Sequence, residues 1–136
     1  MGNSILGYGM SLASAAGVRQ IQKKRTISIM GDGGFWHNGL QTGVLSTLFN
    51  EGDAILIIMQ NGYASATGQQ YIPSSVKLDN QKPISSDIEK TLNAIGVKWL
   101  KTIRTYSVDV MVKTLREAMT TSFDGLKVII ADGECM

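Results

Sequence analysis

The chain has 136 residues, enough for one domain with a sizeable core. With 43% hydrophobic and 18% charged residues it reads as a folded globular protein rather than a disordered one. A net charge of +2 gives no case for nucleic acid or a membrane surface, and a single cysteine, Cys135, rules out an internal disulfide framework and suits a reducing compartment. The longest apolar run, Ala54 to Met59, is too short to span a bilayer, and no charged-then-apolar leader opens the chain. A cytoplasmic address is the default expectation.

Residues 4 to 18 place Ile5, Leu6, Met10, Leu12 and Ala13 among small residues and predict a close-packing helix, with Ser4 near its start and Gly17 near its end. The basic run Arg19, Lys23, Lys24 and Arg25 reads as a solvated helix end and connection. Thr26 to Met30 is short, β-branched and apolar, as a buried strand is. Next comes GDGGFWHNGLQ, residues 31–41, read as a strand-to-helix turn that feeds a helix from Asn38 to Asn50 through Leu40, Val44, Leu45, Leu48 and Phe49.

Ala54 to Met59 predicts a second buried strand, followed by a long polar stretch from Asn61 to Pro83, of a length that is functional or mobile when it occurs in compact domains. Ser86-Asp-Ile-Glu89 has the form of a capping box, opening a helix that closes at Gly96. Val97 to Ile103 predicts a strand. A helix from Ser107 to about Thr121 follows, with Val108, Met111, Val112, Leu115 and Met119 on its apolar face, and Leu126 to Ala131 predicts the last strand. The order α-β-α-β-loop-α-β-α-β predicts a three-layer α/β/α domain with a parallel sheet and right-handed crossovers.

In open α/β sheets ligands bind beyond the carboxyl ends of the strands. Asp32 follows the first strand and Asn61 the second. One crossover between them allows neighbouring strands about 4.8 Å apart, so both side chains would face one crevice. Two hard oxygen donors there suit magnesium, with calcium chemically possible. Gly33 and Gly34 would leave backbone N–H groups open to an anion, and the helix near Asn38 would aim its positive end at it. Each piece alone has a plain reading: a tight turn for Gly-Asp-Gly, and a type I′ turn for Asn61-Gly62, although a hairpin needs a strand after Gly62 and YASATGQQYIPSS does not look like one. The conjunction is the signal.

That conjunction, GDG at 31–33 and Asn61 after a hydrophobic strand, resembles the thiamine-diphosphate motif of thiamine-dependent enzymes. The intervening HNGLQTGVLSTLFNEGD fits as well; Gln60 departs from it, standing where the common motif has its first asparagine. NGYASATGQQ, with Thr67, Gly68 and Gln70, looks like the loop of 2-oxoacid:ferredoxin oxidoreductases. GDGGFWHNG and the opening MGNSILGYGMSLA resemble the indolepyruvate ferredoxin oxidoreductase branch, and the likeness covers nearly the whole chain. It implies a thiamine-diphosphate-binding fold and one domain, 1–136, forming a segment of a larger multidomain enzyme. Asp32, the Asn61 side chain and the Tyr63 carbonyl would ligate Mg2+, while Gly2, Asn3, Gly31, Gly33, Gly34, Thr67 and Gly68 would surround the cofactor.

The implied reaction is oxidative decarboxylation of a 2-oxoacid, an aryl pyruvate such as indolepyruvate, to its acyl-CoA, with ferredoxin as electron acceptor. Iron–sulfur clusters and CoA would belong to the parent enzyme, and an oligomer is expected, with a pyrimidine-binding domain and a cluster domain as partners. The glutamate that activates the cofactor would come from the pyrimidine-binding domain, since Glu51, Glu89, Glu117 and Glu134 are placed in helices or at edges away from the cleft. His37 is either a packing residue at the helix start or a proton donor or carboxylate binder near the substrate. Phe35 and Trp36 read as core or interface, Thr67 as a diphosphate donor or a plain loop residue, and the methionines mostly as core. Two other readings stay open: a non-oxidative thiamine-dependent decarboxylase or synthase, and a non-catalytic phosphate-binding or assembly module.

Overall fold

The computed structural model describes residues 7, 9–22, 24–75 and 86–134. Helix α1 (Met10–Gln22) leads to strand β1 (Thr26–Gly31). A continuous helix α2 follows, with a short α-helical start (Asp32–Gly34), a π-helical stretch (Phe35–Leu45) and an α-helical end (Ser46–Phe49). Then come β2 (Ala54–Gln60), β3 (Tyr63–Ala64), β4 (Gln70–Tyr71), α3 (Ile88–Ala94), β5 (Trp99–Arg104), α4 (Val108–Thr120) and β6 (Lys127–Asp132). Strands β1, β2, β6 and β5 form, in that spatial order, one parallel sheet, and the expected α/β/α layering is observed.

Alternation along the strands divides the core in two. Met30, Leu56, Ile58, Val128 and Ile130 pack under α1, α2 and α3, with Leu12, Phe35, Val44, Ile88 and Leu92. Ile55, Ile57, Ile103, Ile129 and Ala131 pack with α4 through Met111, Leu115 and Ala118. Among the described residues one helix stands on the second face where three cover the first, and that face is only partly roofed. Edge strand β1 is therefore not buried as expected: Ile27 and Ile29 are 43% and 57% exposed. Met10, Met59 and Met119 are exposed as well.

Several boundaries differ from those expected, each for a local reason. Gly17 lies inside α1, not at its end; the helix runs on to Gln22 because tertiary packing outweighs the roughly 1 kcal/mol that an internal glycine costs. Helix α2 starts at Asp32, six residues before the expected Asn38, with Gly31 in extended backbone as its N-cap. Its glycines serve packing. A Cβ on Gly39 would lie 2.6 Å from the Met30 sulfur, and one on Gly9 (φ +80°) only 3.0 Å from the Gly39 Cα, so α1 and α2 meet backbone to backbone. The N-cap of α3 is Asp87, whose carboxylate accepts from the Lys90 N–H (3.1 Å), rather than Ser86, while Gly96 (φ +95°) closes the helix as expected. The apolar face of α4 is rotated: Thr114 and Ala118 are buried, whereas Val108, Val112 and Met119 are exposed.

At the amino ends of the strands, Asp53 gathers the cations. The fully buried Lys127 ammonium pairs with Asp53 Oδ1, and Arg25 Nε lies 3.0 Å from both carboxylate oxygens. Arg25 also donates to the carbonyls of Ala118, Met119 and Phe123 at 3.3, 2.8 and 3.1 Å, closing the carboxyl end of α4. It is not the solvated residue expected, and Arg19 pairs with Asp124 at 3.0 Å. Burial alone would raise the Asp53 pKa, but hydrogen bonds and charge from Lys127 and Arg25 outweigh it and hold the carboxyl below the ordinary aspartate value. A depressed carboxyl pKa contributes stability above the unfolded value near 4, and that contribution is lost as pH falls through the folded-state value. Asp53→Ala should cost roughly 3–5 kcal/mol of unfolding free energy in urea titration at neutral pH, since it strands a buried ammonium. It should also flatten the acid limb of stability against pH. An equal loss in Lys127→Met, which leaves Asp53 with Arg25, would contradict this account.

Candidate cofactor site

Asp32 is the first residue of α2, directly after β1, and only 2% exposed. Parallel pairing of β1 with β2 sets Gly31 beside Met59, so the two strand ends lie together. Asp32 Oδ1 accepts from the N–H of Gly33 (2.8 Å), and Oδ2 accepts from those of Asn61 (2.9 Å) and Gly62 (2.7 Å). Among the described residues no basic side chain pairs with it. It is a buried anion satisfied by neutral donors only.

The Asn61 amide is equally constrained. Its Oδ1 accepts from the Tyr63 N–H at 3.0 Å and its Nδ2 donates to Ser65 Oγ at 2.9 Å. Gly62, at φ +82°, supplies the left-handed turn between β2 and β3. Contrary to expectation, a strand does follow Gly62: β3 pairs antiparallel with β4, through a loop that carries the 3₁₀ turn Ser65–Thr67 and not through Asn61-Gly62. Gly33 packs against β3, where a Cβ would come within 3.0 Å of the Ala64 Cβ. Its N–H is already engaged by Asp32, so Gly33 acts as a spacer.

The other candidate residues divide between site and scaffold. A Cβ on Gly31 would meet nothing within 4 Å, so the backbone there is open, whereas Gly34 is buried. Thr67 is exposed, and its hydroxyl lies 3.3 Å from the Ala64 carbonyl and 3.0 Å from Gln70 Oε1; Gly68 (φ +98°) completes that loop. His37 is exposed on the π-helical stretch, five residues beyond Asp32. Phe35 is fully buried and Trp36 packs edge-on against it, 5.0 Å between centroids, as core residues. Gly2, Asn3 and Cys135 lie outside the described residues.

A cavity of about 450 Å³ opens beyond the carboxyl ends of β2, β5 and β6, with Asn61, Gly62 and Tyr63 forming one wall. Asp132 and Arg104 form part of the other, 3.0 Å apart, and Gln60 Nε2 reaches Asp132 Oδ1 at 3.3 Å. Glu89 and Glu134 line this cavity too, which corrects their expected remoteness; Glu89 accepts from the Thr102 hydroxyl at 2.6 Å. Asp132-Gly133 was detectable in the sequence, since it repeats after β6 the strand-Asp-Gly arrangement found after β1. Ser65 and Ser75 carried no comparable signal.

A carboxylate offers about four lone-pair positions and an amide oxygen two. Asp32 spends three and Asn61 one, which leaves each a position for a hard cation beside the Tyr63 backbone. The donor set fits a magnesium ion. Among the described residues there is no group of three or more His, Cys, Asp or Glu that could hold a metal, so any such site needs the amide and carbonyl oxygens.

The family model for the thiamine pyrophosphate enzyme C-terminal TPP-binding domain matches residues 1–131. The chain belongs to this family. Relatives of this TPP-binding domain include indolepyruvate oxidoreductase subunit IorA of Archaeoglobus fulgidus, 27% identical over 128 residues that make up 93% of this chain and 20% of that protein. Subunit IorA of Pyrococcus horikoshii is 25% identical over 99% of this chain and 22% of its own length. The domain thus spans about a fifth of these relatives, which belong to the branch that the sequence motifs resemble. Among solved structures, 2-oxoglutarate:ferredoxin oxidoreductase from Magnetococcus marinus shares the fold, with a TM-score of 0.76 and 15% identity over 94% of this chain and 46% of that one. The thiamine diphosphate-dependent 4-hydroxybenzoylformate decarboxylase of Rhodococcus jostii does so with a TM-score of 0.62 and 17% identity over 94% and 23%. No helix among the described residues is long and apolar enough to cross a membrane.

Asp32→Asn should destabilise the TPP-binding domain by roughly 1–3 kcal/mol even without cofactor, because an amide group must present N–H to at least one of the three backbone donors. Urea unfolding of the cofactor-free protein measures this, and an unchanged midpoint would show that the three bonds carry no structural weight.

Proposed function

We propose that the chain holds the diphosphate–magnesium end of thiamine diphosphate in an enzyme that oxidatively decarboxylates a 2-oxoacid to its acyl-CoA, passing electrons to ferredoxin. The single observation behind this is the buried Asp32 carboxylate, which pairs with no basic side chain among the described residues and is hydrogen-bonded to the turn that carries Asn61. Asp32, the Asn61 amide oxygen and the Tyr63 carbonyl would hold Mg2+. The open backbone at Gly31, the buried start of α2 at Gly34 and its positive helix end would face the diphosphate. Gly2, Asn3, Thr67 and Gly68 belong to the same proposed shell, Thr67 by exchanging its loop bonds for a phosphate oxygen. His37, exposed on α2 five residues beyond Asp32, is proposed as the residue that contacts substrate.

Thiamine diphosphate, when bound, supplies the electron sink that 2-oxoacid decarboxylation needs. This chain orients it: Asp32 and Asn61 fix the cation, and the α2 terminus fixes the anion. The names of the relatives support an aryl pyruvate such as indolepyruvate as substrate, and the word subunit in them supports partner subunits. In this proposal the iron–sulfur clusters, the CoA site and the pyrimidine-binding domain lie elsewhere in an oligomeric, cytoplasmic parent enzyme. A non-oxidative decarboxylase shares the fold; reduction of ferredoxin by the full-length protein with 2-oxoacid and CoA distinguishes the two.

Calorimetric titration of thiamine diphosphate into the full-length protein should show binding with magnesium chloride present and at least tenfold weaker binding in EDTA. Asn61→Ala should lose about tenfold or more of the magnesium-dependent affinity, in line with ligand-shell losses at metal sites. No binding with metal present, or full affinity in both Asp32→Ala and Asn61→Ala, would overturn the proposal.

A further inference from the structure

Ser75 is 3% exposed, and its hydroxyl serves as both donor and acceptor. Its Oγ donates to the Gly62 carbonyl at 2.5 Å and accepts from the Ile72 N–H at 2.8 Å. The Ser75 N–H in turn donates to the Ile72 carbonyl at 2.9 Å, closing a tight turn over residues 72–75. That short strap is anchored twice more. Trp36 of α2 donates its indole N–H to Ser74 Oγ at 2.9 Å, and the Ser86 N–H donates to the Pro73 carbonyl at 3.0 Å.

The peptide that Ser75 grips joins Gly62 to Tyr63. Its N–H is bound to Asn61 Oδ1 and its carbonyl to Ser75 Oγ, so both ends are fixed. Glycine at φ +82° tolerates several ψ values, so Gly62 itself places little restraint on the orientation of the peptide that follows it. A flip would remove the Tyr63 N–H from Asn61 and release the amide. Asp32 does not prevent this, because it holds the N–H groups of Asn61 and Gly62, on the other side of the Gly62 Cα.

We propose that Ser75 is a positioning residue: its buried hydroxyl latches the Gly62–Tyr63 peptide in the orientation that keeps the Tyr63 N–H on Asn61 and so presents the Asn61 amide oxygen to the cation. This deepens the function proposed above and rests on it. The latch sets how much magnesium the site needs, and it acts through Gly62 without touching metal or cofactor.

The test uses the full-length protein and the magnesium concentration that half-saturates thiamine diphosphate binding, followed by calorimetry at fixed cofactor. Ser75→Ala should raise it about tenfold, the scale of one buried hydrogen bond lost. Ser75→Thr, which keeps the hydroxyl, should stay within about threefold of the wild type. Ser74→Ala removes the Trp36 bond but leaves Gly62 latched, and should leave the half-saturation unchanged. In the cofactor-free protein, hydrogen exchange at the Tyr63 amide should quicken in Ser75→Ala and not in Ser74→Ala. Wild-type half-saturation in Ser75→Ala, a tenfold rise in Ser75→Thr, equal losses in the two Ala variants, or unchanged Tyr63 exchange would each overturn the latch. A wild-type protein that shows no magnesium-dependent binding would instead overturn the function proposed above, while the exchange measurement still tests the latch.

Discussion

The carboxylate of Asp32 is the tie between the two halves of the site. It closes the end of β1, stands in the first turn of α2, and accepts the N–H groups that shape the turn after β2. Parallel pairing brings the strand ends together, but pairing alone does not fix a turn built around a glycine with positive φ. Three hydrogen bonds to one ionised group do so, and bonds to charged acceptors are stronger than neutral ones. The opposite end of the sheet offers a control within the same molecule. Asp53 is also largely buried, yet it is surrounded by Lys127 and Arg25 and is electrically complete. Among the described residues Asp32 has backbone donors and no basic side-chain partner. The two buried aspartates are thus held in different ways, one by cationic side chains and the other by backbone dipoles, and it is the second that the proposed function assigns to the cation.

The glycines around this centre do two jobs that look alike in a sequence. Gly9 and Gly39 let α1 and α2 come into backbone contact, and Gly33 lets β3 rest on the first turn of α2. Gly31 has open space around it and Gly62 has its positive φ, so these two are the ones that shape the site itself. The spacer glycines still matter to the site, since they set how near the Asn61 turn stands to Asp32. Close packing and anion access are successive steps of one construction.

Much of this was legible in the sequence, for reasons that also explain the rest. The four sheet strands stand out because their runs are apolar and β-branched, and the Asp32–Asn61 pairing follows from one crossover between adjacent strands. The start of α2 was misplaced because four glycines in nine residues read as a turn, whereas packing against β3 and α1 carries the helix through them. The buried face of α4 was misjudged because valines outrank Thr114 and Ala118 in hydropathy, yet small residues let the helix approach the sheet. Strands β3 and β4, at two residues each, are too short for any alternation to show. Ser75 could not be singled out in a serine-rich segment, because its role depends on a carbonyl thirteen positions earlier and on burial that only the folded chain supplies.

The charge distribution around the Asn61 turn gives the proposed site a direction. On one side lies the cavity edged by Glu89, Asp132 and Glu134, with Arg104 committed to Asp132. On the other lies the amino end of α2, which carries the positive partial charge of a helix start. A dianionic group is repelled by the first and attracted by the second, whereas a divalent cation has the opposite preference. In the proposed function Asp32 and Asn61 would hold the cation at the α2 terminus, beside the diphosphate and on the far side of the Asn61 turn from the acidic wall. A turn held from Asp32 on one side and Ser75 on the other would have little to rearrange when that pair binds.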